Sequence, residues 1–417
     1  MNKIAKFLPF LTWISELKNP SILKADVVAG LTVALVLVPQ SMAYAQLAGL
    51  PPQYGLYASF LPVMIAALMG SSRQLGTGPV AVVSLLTAAA IPTILPAGAG
   101  IETYIIYASM LAFLVGIFQF LLGALKLGLV INFLSHPVVV GFTNAAAIII
   151  GTAQLAKIFG VETPEAQHAY EQIWGVLVNA AEHTHTMTLA MAIAAFGIMI
   201  VAKKYAPKLP GVLLAVATTT LASWWLDFGV AVADGGLGGT IIGSIPDGLP
   251  SFNIPVFDFL VMKKMLITAV TIGLIGFMEA ISIAKAMAAQ TKQRLSVDQE
   301  LIGQGLANIA SSFFQGYAVS GSFSRSAVNI SAGAVTGFSS VVTAVIVGIT
   351  LLWLTPLLFH LPQATLAAVI IMAVINLIKF APIIHAWKVE RHDGVVAVLT
   401  FVLQSVNSLF HWQHQKN

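Results

Sequence analysis

The chain is predicted to be an all-α polytopic membrane protein made of two inverted repeats, and three observations predict it. Apolar residues make up 58% of the 417 residues and charged residues only 9%, whereas a soluble domain carries roughly 25% charged residues. The mean hydropathy is +0.90, so there is too little polar surface to coat a water-soluble globule. Two apolar runs are broken at matching places in the two halves, at Gly76–Pro79 and at Ser320–Ser326, as expected of a transporter with paired interrupted helices.

Composition excludes several classes. The chain has no cysteine and so no disulfide. Its net charge of +4 does not imply a nucleic-acid partner, because Lys and Arg gather in short loops, as in cytoplasmic loops of membrane proteins. The opening MNKIAKFLPFLTWISELKNP is broken by Glu16 and Lys18 and has no small-residue cleavage site. It reads as an amphipathic helix on the inner membrane face and not as a cleaved signal. Residues 1–24 are assigned to this cytoplasmic segment.

The spans follow in order. The first covers about Val27 to Leu47 and holds Pro39, so a kink is expected. After GLPPQYG a second covers about Leu56 to Met69, with Arg73 just beyond it. GTGP (Gly76 to Pro79) then opens an apolar run from Val80 to about Leu95. That run is about 24 Å long as a helix, short of a ~30 Å hydrocarbon core, so the chain before it must cover the rest in extended form. Spans four to seven cover about Tyr104–Leu125, Pro137–Ile158, Met187–Val201 and Gly211–Phe228. Residues 25–229 thus form the first repeat. Within it, Gly160–His185 is acidic and reads as a solvated loop; His168, His183 and His185 lack ligand spacing, so no metal is expected. Residues 230–264 are rich in Gly and Pro and read as an outside loop. The second repeat, 265–410, holds spans at about Leu266–Ala288, Leu301–Phe314, a tenth opened by SGSFSRS, then Phe338–Phe359, Leu366–Ile378 and a thirteenth from near Val395; 411–417 is a tail.

Alternating the loops with the N-terminus inside collects the basic residues on one side: Lys3, Lys6, Lys18, Lys24, Arg73, Lys126, Lys203, Lys204, Lys208, Lys292, Arg294, Lys379, Lys388 and Arg391. This bias supports a cytoplasmic N-terminus and the span count. The repeats can be laid on one another: residues 38–49 fall on 277–288, a shift of 239, and 77–84 on 320–327, a shift of 243. Gln40 then matches Glu279. An odd number of spans per half inverts the second half, and seven plus seven fits the first repeat.

The breaks carry the candidate chemistry. Gly76, Gly78 and Pro79 prevent regular helix and put a helix start at Val80, followed by Ala81; Gly321 does the same in the second break. The first N–H groups of such helices lack internal partners and carry the positive end of the dipole. Two starts meeting head to head would hold an anion between them, although by itself GTGP reads equally well as a packed kink. Arg325 favours the site. It is a cation well inside a span, beside Ser322, Ser324 and Ser326, and a buried guanidinium flanked by hydroxyls suits a small oxyanion. Glu279 is the one carboxylate well within a span. It reads either as a proton-coupling group, since burial favours its neutral form, or as an ion-pair partner of Arg325. Gln40 and Tyr44 lie one turn apart on one helix face and offer an amide and a phenol. Paired Asp, Ser/Lys or His/Glu clusters at a common depth are lacking, so the chain is not read as an enzyme.

With these residues in view, the chain resembles the SulP anion transporters. The resemblance is carried by Ala25–Leu85 (ADVVAGLTVALVLVPQSMAYAQ through GTGPVAVVSL), SHPVVVGFTNAAAI, GFMEAISIAKAMA and GSFSRSAVN, and runs from about Leu23 to Asp393. It implies a 7+7 inverted repeat divided into core and gate domains, dimers, and elevator-like movement of the core. It places the anion between the third and tenth helix starts, with Gln40, Tyr44, Val80, Ala81, Ser324 and Arg325 at the site and Glu279 as the proton-coupling acid. Val80 stands where many relatives carry an aromatic, and some have Phe where Tyr44 stands. After about Leu399 the pattern gives way to QSVNSLFHWQHQKN, which reads as too short for a fourteenth span and as lacking the STAS domain usual in the family.

The expected function is therefore secondary active transport of a small inorganic anion, with sulfate first and protons as the coupling ion. The alternatives are sodium-coupled bicarbonate transport, dicarboxylate symport, or an uncoupled anion channel or exchanger. No cofactor is expected beyond the coupling ion. The expected setting is a bacterial inner membrane, with a homodimer in the full-length form.

Overall fold

The computed structural model describes residues 8–96, 98–128, 136–164, 169–206 and 210–375, together with 378, 387, 395 and 398–402. The expected positions of Lys3, Lys6, Glu165, His168, Lys208, Lys379, Lys388, Arg391 and the tail from residue 404 lie outside the described residues, as does most of the thirteenth span. The molecule is helical, with short extended segments before the third and tenth spans. Among the described residues, five helices are long and apolar enough to cross a membrane. It forms two compact units, each drawing chain from both repeats: residues 1–131 with 246–355, and 132–245 with 356–417.

The first unit begins with two 3-10 turns, Pro9–Thr12 and Ile14–Lys18, where an amphipathic helix was expected. The periodicity there is too short, and Pro9 and Pro20 bracket it. Helix α1 (Pro20–Leu47) is capped by Asn19, whose side chain accepts from the Ser21 N–H at 3.0 Å. It runs through Pro39 without ending, losing one backbone bond inside a packed bundle. The second span is divided into α2 (Gln53–Ala58) and α3 (Leu61–Met69), with Pro62 in the first turn of the latter. Strand β1 (Gly76–Gly78) leads to α4 (Ala81–Ala90), and α5 (Ile101–Ala124) follows.

The second unit draws on the middle of the chain and is described in parts. It holds α6 (His136–Ala153), α7 (Leu155–Phe159), α8 (Ala169–His183), α9 (Thr186–Tyr205) and α10 (Gly211–Trp225), joined after the second stretch of the first unit by α15 (Gln363–Ile375). Helix α8 lies in the acidic region expected to be a loop. Its apolar residues Ile173, Trp174, Leu177 and Val178 recur at helical spacing, a signal masked by the surrounding Glu and His. His185 is structural: Nδ1 accepts from the Thr188 N–H at 3.2 Å to cap α9, and Nε2 lies 2.8 Å from the Leu237 carbonyl. Thr365 on α15 donates to Thr219 on α10 at 2.9 Å.

Returning to the first unit, α11 (Phe259–Thr291) is capped by Asp258 and so starts inside the stretch expected to be loop. Then come α12 (Val297–Phe313), strand β2 (Ser320–Ser322), α13 (Phe323–Ser331) and α14 (Phe338–Ile349), which continues through a π turn at Thr350–Leu354. Helices α5 and α12 cross closely through glycine: a Cβ on Gly116 would lie 2.7 Å from the Ile309 nitrogen, and one on Gly305 2.5 Å from that of Phe120. Such small-residue contacts are the usual means of close helix packing where lipid removes the hydrophobic drive. Asp26 is wholly buried on α1, and its carboxylate accepts from the backbone N–H groups of Val335 and Thr336 at 2.7 and 3.0 Å. That bond set ties α1 to the turn that begins α14.

Candidate functional site

Strands β1 and β2 pair antiparallel, with Gly76 opposite Ser322, Thr77 opposite Gly321 and Gly78 opposite Ser320. The strands begin at Gly76 and Ser320 and the following helices at Ala81 and Phe323, so the repeat offset brackets the 243 read from the sequence. Gly78 takes φ +142°, open to glycine alone at no cost. A Cβ on Gly76 would lie 2.8 Å from Cβ of Arg325, so the first strand must be bare at that point. Val80 is the extended N-cap and α4 starts at Ala81, one residue later than expected.

Because the ribbon is antiparallel, α4 leaves one end and α13 the other. Both N-termini therefore converge on a ribbon about 7 Å long. Neither has a side-chain cap: Val80 has no polar side chain, and the Ser322 hydroxyl instead meets Ser324 Oγ at 3.2 Å. The first-turn N–H groups at each end are thus unclaimed by side chains, and both dipoles bring positive potential to one place.

Arg325 is the third residue of α13 and is completely buried. Its Nη1 donates to Gln40 Oε1 at 3.2 Å, and Gln40 Nε2 donates to Tyr44 Oη at 3.2 Å. Tyr44 accepts in this chain and keeps its own O–H to give. Nε and Nη2 of Arg325 have no hydrogen-bond partner in the protein. Nη2 lies beside Gly78, 3.4 Å from where a Cβ would stand. Glu279, half-buried on α11, is close enough for its charge to act on Arg325 and Tyr44. Among the described residues no salt bridge joins the two, whereas Arg73 and Glu16 do form one. The permanent Glu279–Arg325 pair considered from the sequence is therefore not what holds the guanidinium. Of the sequence-derived residues, Gln40, Tyr44, Arg325 and Glu279 come together, Val80 and Ala81 stand at one helix start, and Ser324 stands exposed at the other.

A frame surrounds these residues, and Ser326, expected to offer its hydroxyl to an anion, belongs to it instead. Ser326 Oγ accepts from the Gly76 N–H at 2.8 Å and donates to the Ser322 carbonyl at 2.7 Å, locking α13 to both strands. Helix α12 presents Glu300, Gln304 and Asn308 along one stripe. Glu300 accepts from the N–H groups of Ser71 and Ser72, each at 2.8 Å. Gln304 donates to Thr77 Oγ1 at 2.9 Å. Asn308 accepts from the Val319 N–H at 2.7 Å and donates to Gln119 at 3.0 Å. One helix thus sets the approach to β1, β1 itself and the approach to β2. Ser84 and Tyr317, both wholly buried, share a hydroxyl contact of 3.0 Å. The four-residue spacing of Glu300, Gln304 and Asn308 in an apolar span was the signal available for the stripe.

Paired broken helices in an apolar inverted repeat converge on a buried arginine, an arrangement of the kind that inverted-repeat membrane folds use for a central binding site. The sequence matches the sulfate permease family profile over residues 23–400, and the chain belongs to that family. It is 39% identical over 398 residues to sulfate transporter 4.1, chloroplastic, of Arabidopsis thaliana, covering 95% of this chain and 57% of that protein. It is 35% identical over 430 residues to the sodium-independent sulfate anion transporter of Bos taurus, covering 95% and 69% respectively. The chain thus spans somewhat more than half the length of the first relative. Among solved structures, the transmembrane domain of a cyanobacterial bicarbonate transporter, BicA, superposes with TM-score 0.80 at 25% identity, covering 94% of this chain and 97% of that one. The murine Slc26a9 anion transporter in the inward-facing state superposes with TM-score 0.87 at 25% identity, covering 98% and 69%.

Proposed function

We propose that this chain carries a small inorganic anion, with sulfate the first candidate, across a membrane by alternating access. The anion sits at the β1–β2 ribbon, held by the first-turn N–H groups of α4 and α13, the free guanidinium nitrogens of Arg325 and the Tyr44 hydroxyl. The observation that carries this reading is Arg325 itself, wholly buried with Nε and Nη2 unpartnered. A desolvated charge left in that state costs several kcal/mol, which an anion between two helix N-termini offsets. The named activities of the plant and bovine relatives support sulfate as the first candidate.

Coupling is assigned to Glu279, which shares the neighbourhood of Arg325 and Tyr44. Proton uptake there removes a negative charge as the anion enters. The proposed carrier step moves the site-bearing unit across the bilayer. The reading includes a bacterial inner membrane with the N-terminus inside, and a homodimer of the full-length protein. The likeness to BicA, by title a bicarbonate transporter, favours bicarbonate as the one second reading, for which sodium is the proposed coupling ion.

Proteoliposome uptake decides between them. Labelled sulfate, bicarbonate and fumarate are each offered with an imposed proton or sodium gradient. Sulfate uptake driven by inward acid is expected. Bicarbonate uptake that needs sodium, without sulfate uptake, overturns the substrate and the coupling together.

A further inference from the structure

A second charged feature lies apart from the ribbon. A cleft of about 380 Å³ is lined by Thr12, Ser71, Arg73, Gln293, Lys292 and Arg294, together with Thr291. Its floor is fixed by hydrogen bonds. Gln293 Nε2 donates to Gln74 Oε1 at 2.5 Å and to Thr291 Oγ1 at 2.9 Å, while its Oε1 accepts from the Arg73 N–H at 3.1 Å. Ser71 Oγ donates to the Ser296 carbonyl at 2.9 Å. Lys292 ends α11 in the left-handed region, at φ +54°, a conformation that a lysine adopts only at some cost.

The charges do not balance. Arg73 is held by Glu16 through two contacts of 3.0 and 3.1 Å. Lys292 and Arg294 have no carboxylate within 4.0 Å among the described residues. Three cations therefore line the cleft against the Glu16 carboxylate on Arg73 and the buried Glu300 carboxylate behind Ser71, which is held by the N–H groups of Ser71 and Ser72 and pairs with none of the three cations. Exposed apolar side chains accompany it: Leu11 and Ile14 flank the lining residue Thr12 and its neighbour Trp13 in the chain, and Leu23, Val27 and Val28 are exposed at the start of α1. Helix α11 has 33 residues, about 50 Å, longer than a ~30 Å hydrocarbon core. Its last turn accordingly reaches the headgroup layer, and exposed apolar side chains beside a basic cleft mark the boundary between headgroup and acyl chain.

We propose that this cleft binds the phosphate of an anionic membrane lipid, with Arg294 and Lys292 on the phosphate oxygens and the acyl chains running beside Leu11, Ile14 and the exposed start of α1. The arginine fork suits two phosphate oxygens, and the lysine adds a point charge. Basic pockets at the ends of spans are a general means of lipid headgroup recognition. The site is independent of the transported anion, so its failure leaves the proposed transport untouched.

The test uses the whole chain in nanodiscs of phosphatidylcholine, with or without phosphatidylglycerol. Retained lipid is read by native mass spectrometry and stability by Tm. Phosphatidylglycerol should be retained in preference to phosphatidylcholine and should raise Tm. The pair Lys292→Gln and Arg294→Gln should lower that retention about tenfold, since both side chains are exposed and their loss leaves the fold intact. The pair Lys203→Gln and Lys204→Gln, which removes equal charge from α9, should leave it unchanged. Equal retention in the Lys292/Arg294 variant overturns the site, and so does equal loss in the Lys203/Lys204 variant. A further arm adds inorganic phosphate to phosphatidylcholine discs. A Tm rise there that Lys292→Gln and Arg294→Gln abolish, with no response to phosphatidylglycerol, assigns a soluble phosphate and overturns the lipid.

Discussion

Replacing Arg325 by glutamine should separate anion binding from folding. In the structure the guanidinium gives one hydrogen bond, a 3.2 Å contact to a neutral amide on Gln40, and leaves Nε and Nη2 unpartnered. Its removal therefore forfeits one ordinary bond, about 1 kcal/mol, while abolishing the desolvation penalty of a wholly buried charge, which amounts to several kcal/mol. The anion-free variant should be as stable as the parent or more so. Binding should change in the opposite direction. Two charge-assisted bonds from Nε and Nη2, at about 1.5–3 kcal/mol each, correspond to a Kd weaker by about 10²- to 10⁴-fold. Arg325→Lys keeps the charge and loses the fork, so it should fall between. The assay pairs thermal unfolding of the purified protein, with and without sulfate, with calorimetric titration of sulfate. The reasoning is refuted if Arg325→Gln lowers Tm by several degrees and still binds sulfate with parental affinity, for the arginine would then be holding the fold.

Three further outcomes are expected. Asn308→Ala removes the side chain that engages both the N–H and the carbonyl of Val319; it should cost about 2–4 kcal/mol in denaturant unfolding and lower the maximal uptake rate, whereas an exposed polar position would show neither. Asp26→Ala leaves the part-buried N–H of Val335 and the buried N–H of Thr336 without their acceptor and should destabilise by about 3 kcal/mol, with Asp26→Asn recovering part of the loss; parental stability in Asp26→Ala would remove the carboxylate from that role. Glu279→Gln should leave sulfate binding intact while uptake into proteoliposomes stops responding to a proton gradient, and a variant that still follows the gradient places coupling elsewhere.

Much of the fold was legible because membrane helices obey a severe local rule: apolar length and breaker residues mark a span. Gly76, Gly78, Pro79 and the matched break before Arg325 could be read for that reason, and the helix start was found within one residue. Helix α8 was missed because its apolar stripe lies among Glu and His, and composition outweighed periodicity. Hydrophobic pattern alone predicts a helix from Pro9 to Lys18, and the structure has two 3-10 turns there because Pro9 and Pro20 bracket the segment. The stripe Glu300–Gln304–Asn308 was visible as spacing, but its partners Ser71, Thr77 and Val319 lie in segments that only folding brings alongside.

The sequence alone determined that the chain lives in a membrane, that two helices begin in mid-span, and that Arg325 and Glu279 stand in apolar runs where charge is expensive, whereas burial of Asp26 and Glu300 came only with the fold. These follow from the cost of exposing polar groups to lipid, which acts residue by residue. Tertiary structure decided how the breaks meet. The antiparallel pairing of Gly76–Gly78 with Ser320–Ser322 turns two separate helix starts into one site, and Arg325 reaches Gln40 and not a carboxylate. Such pairings join residues some 250 positions apart, as Gly76 and Ser326 do, and depend on backbone register and close packing, which local sequence pattern does not encode.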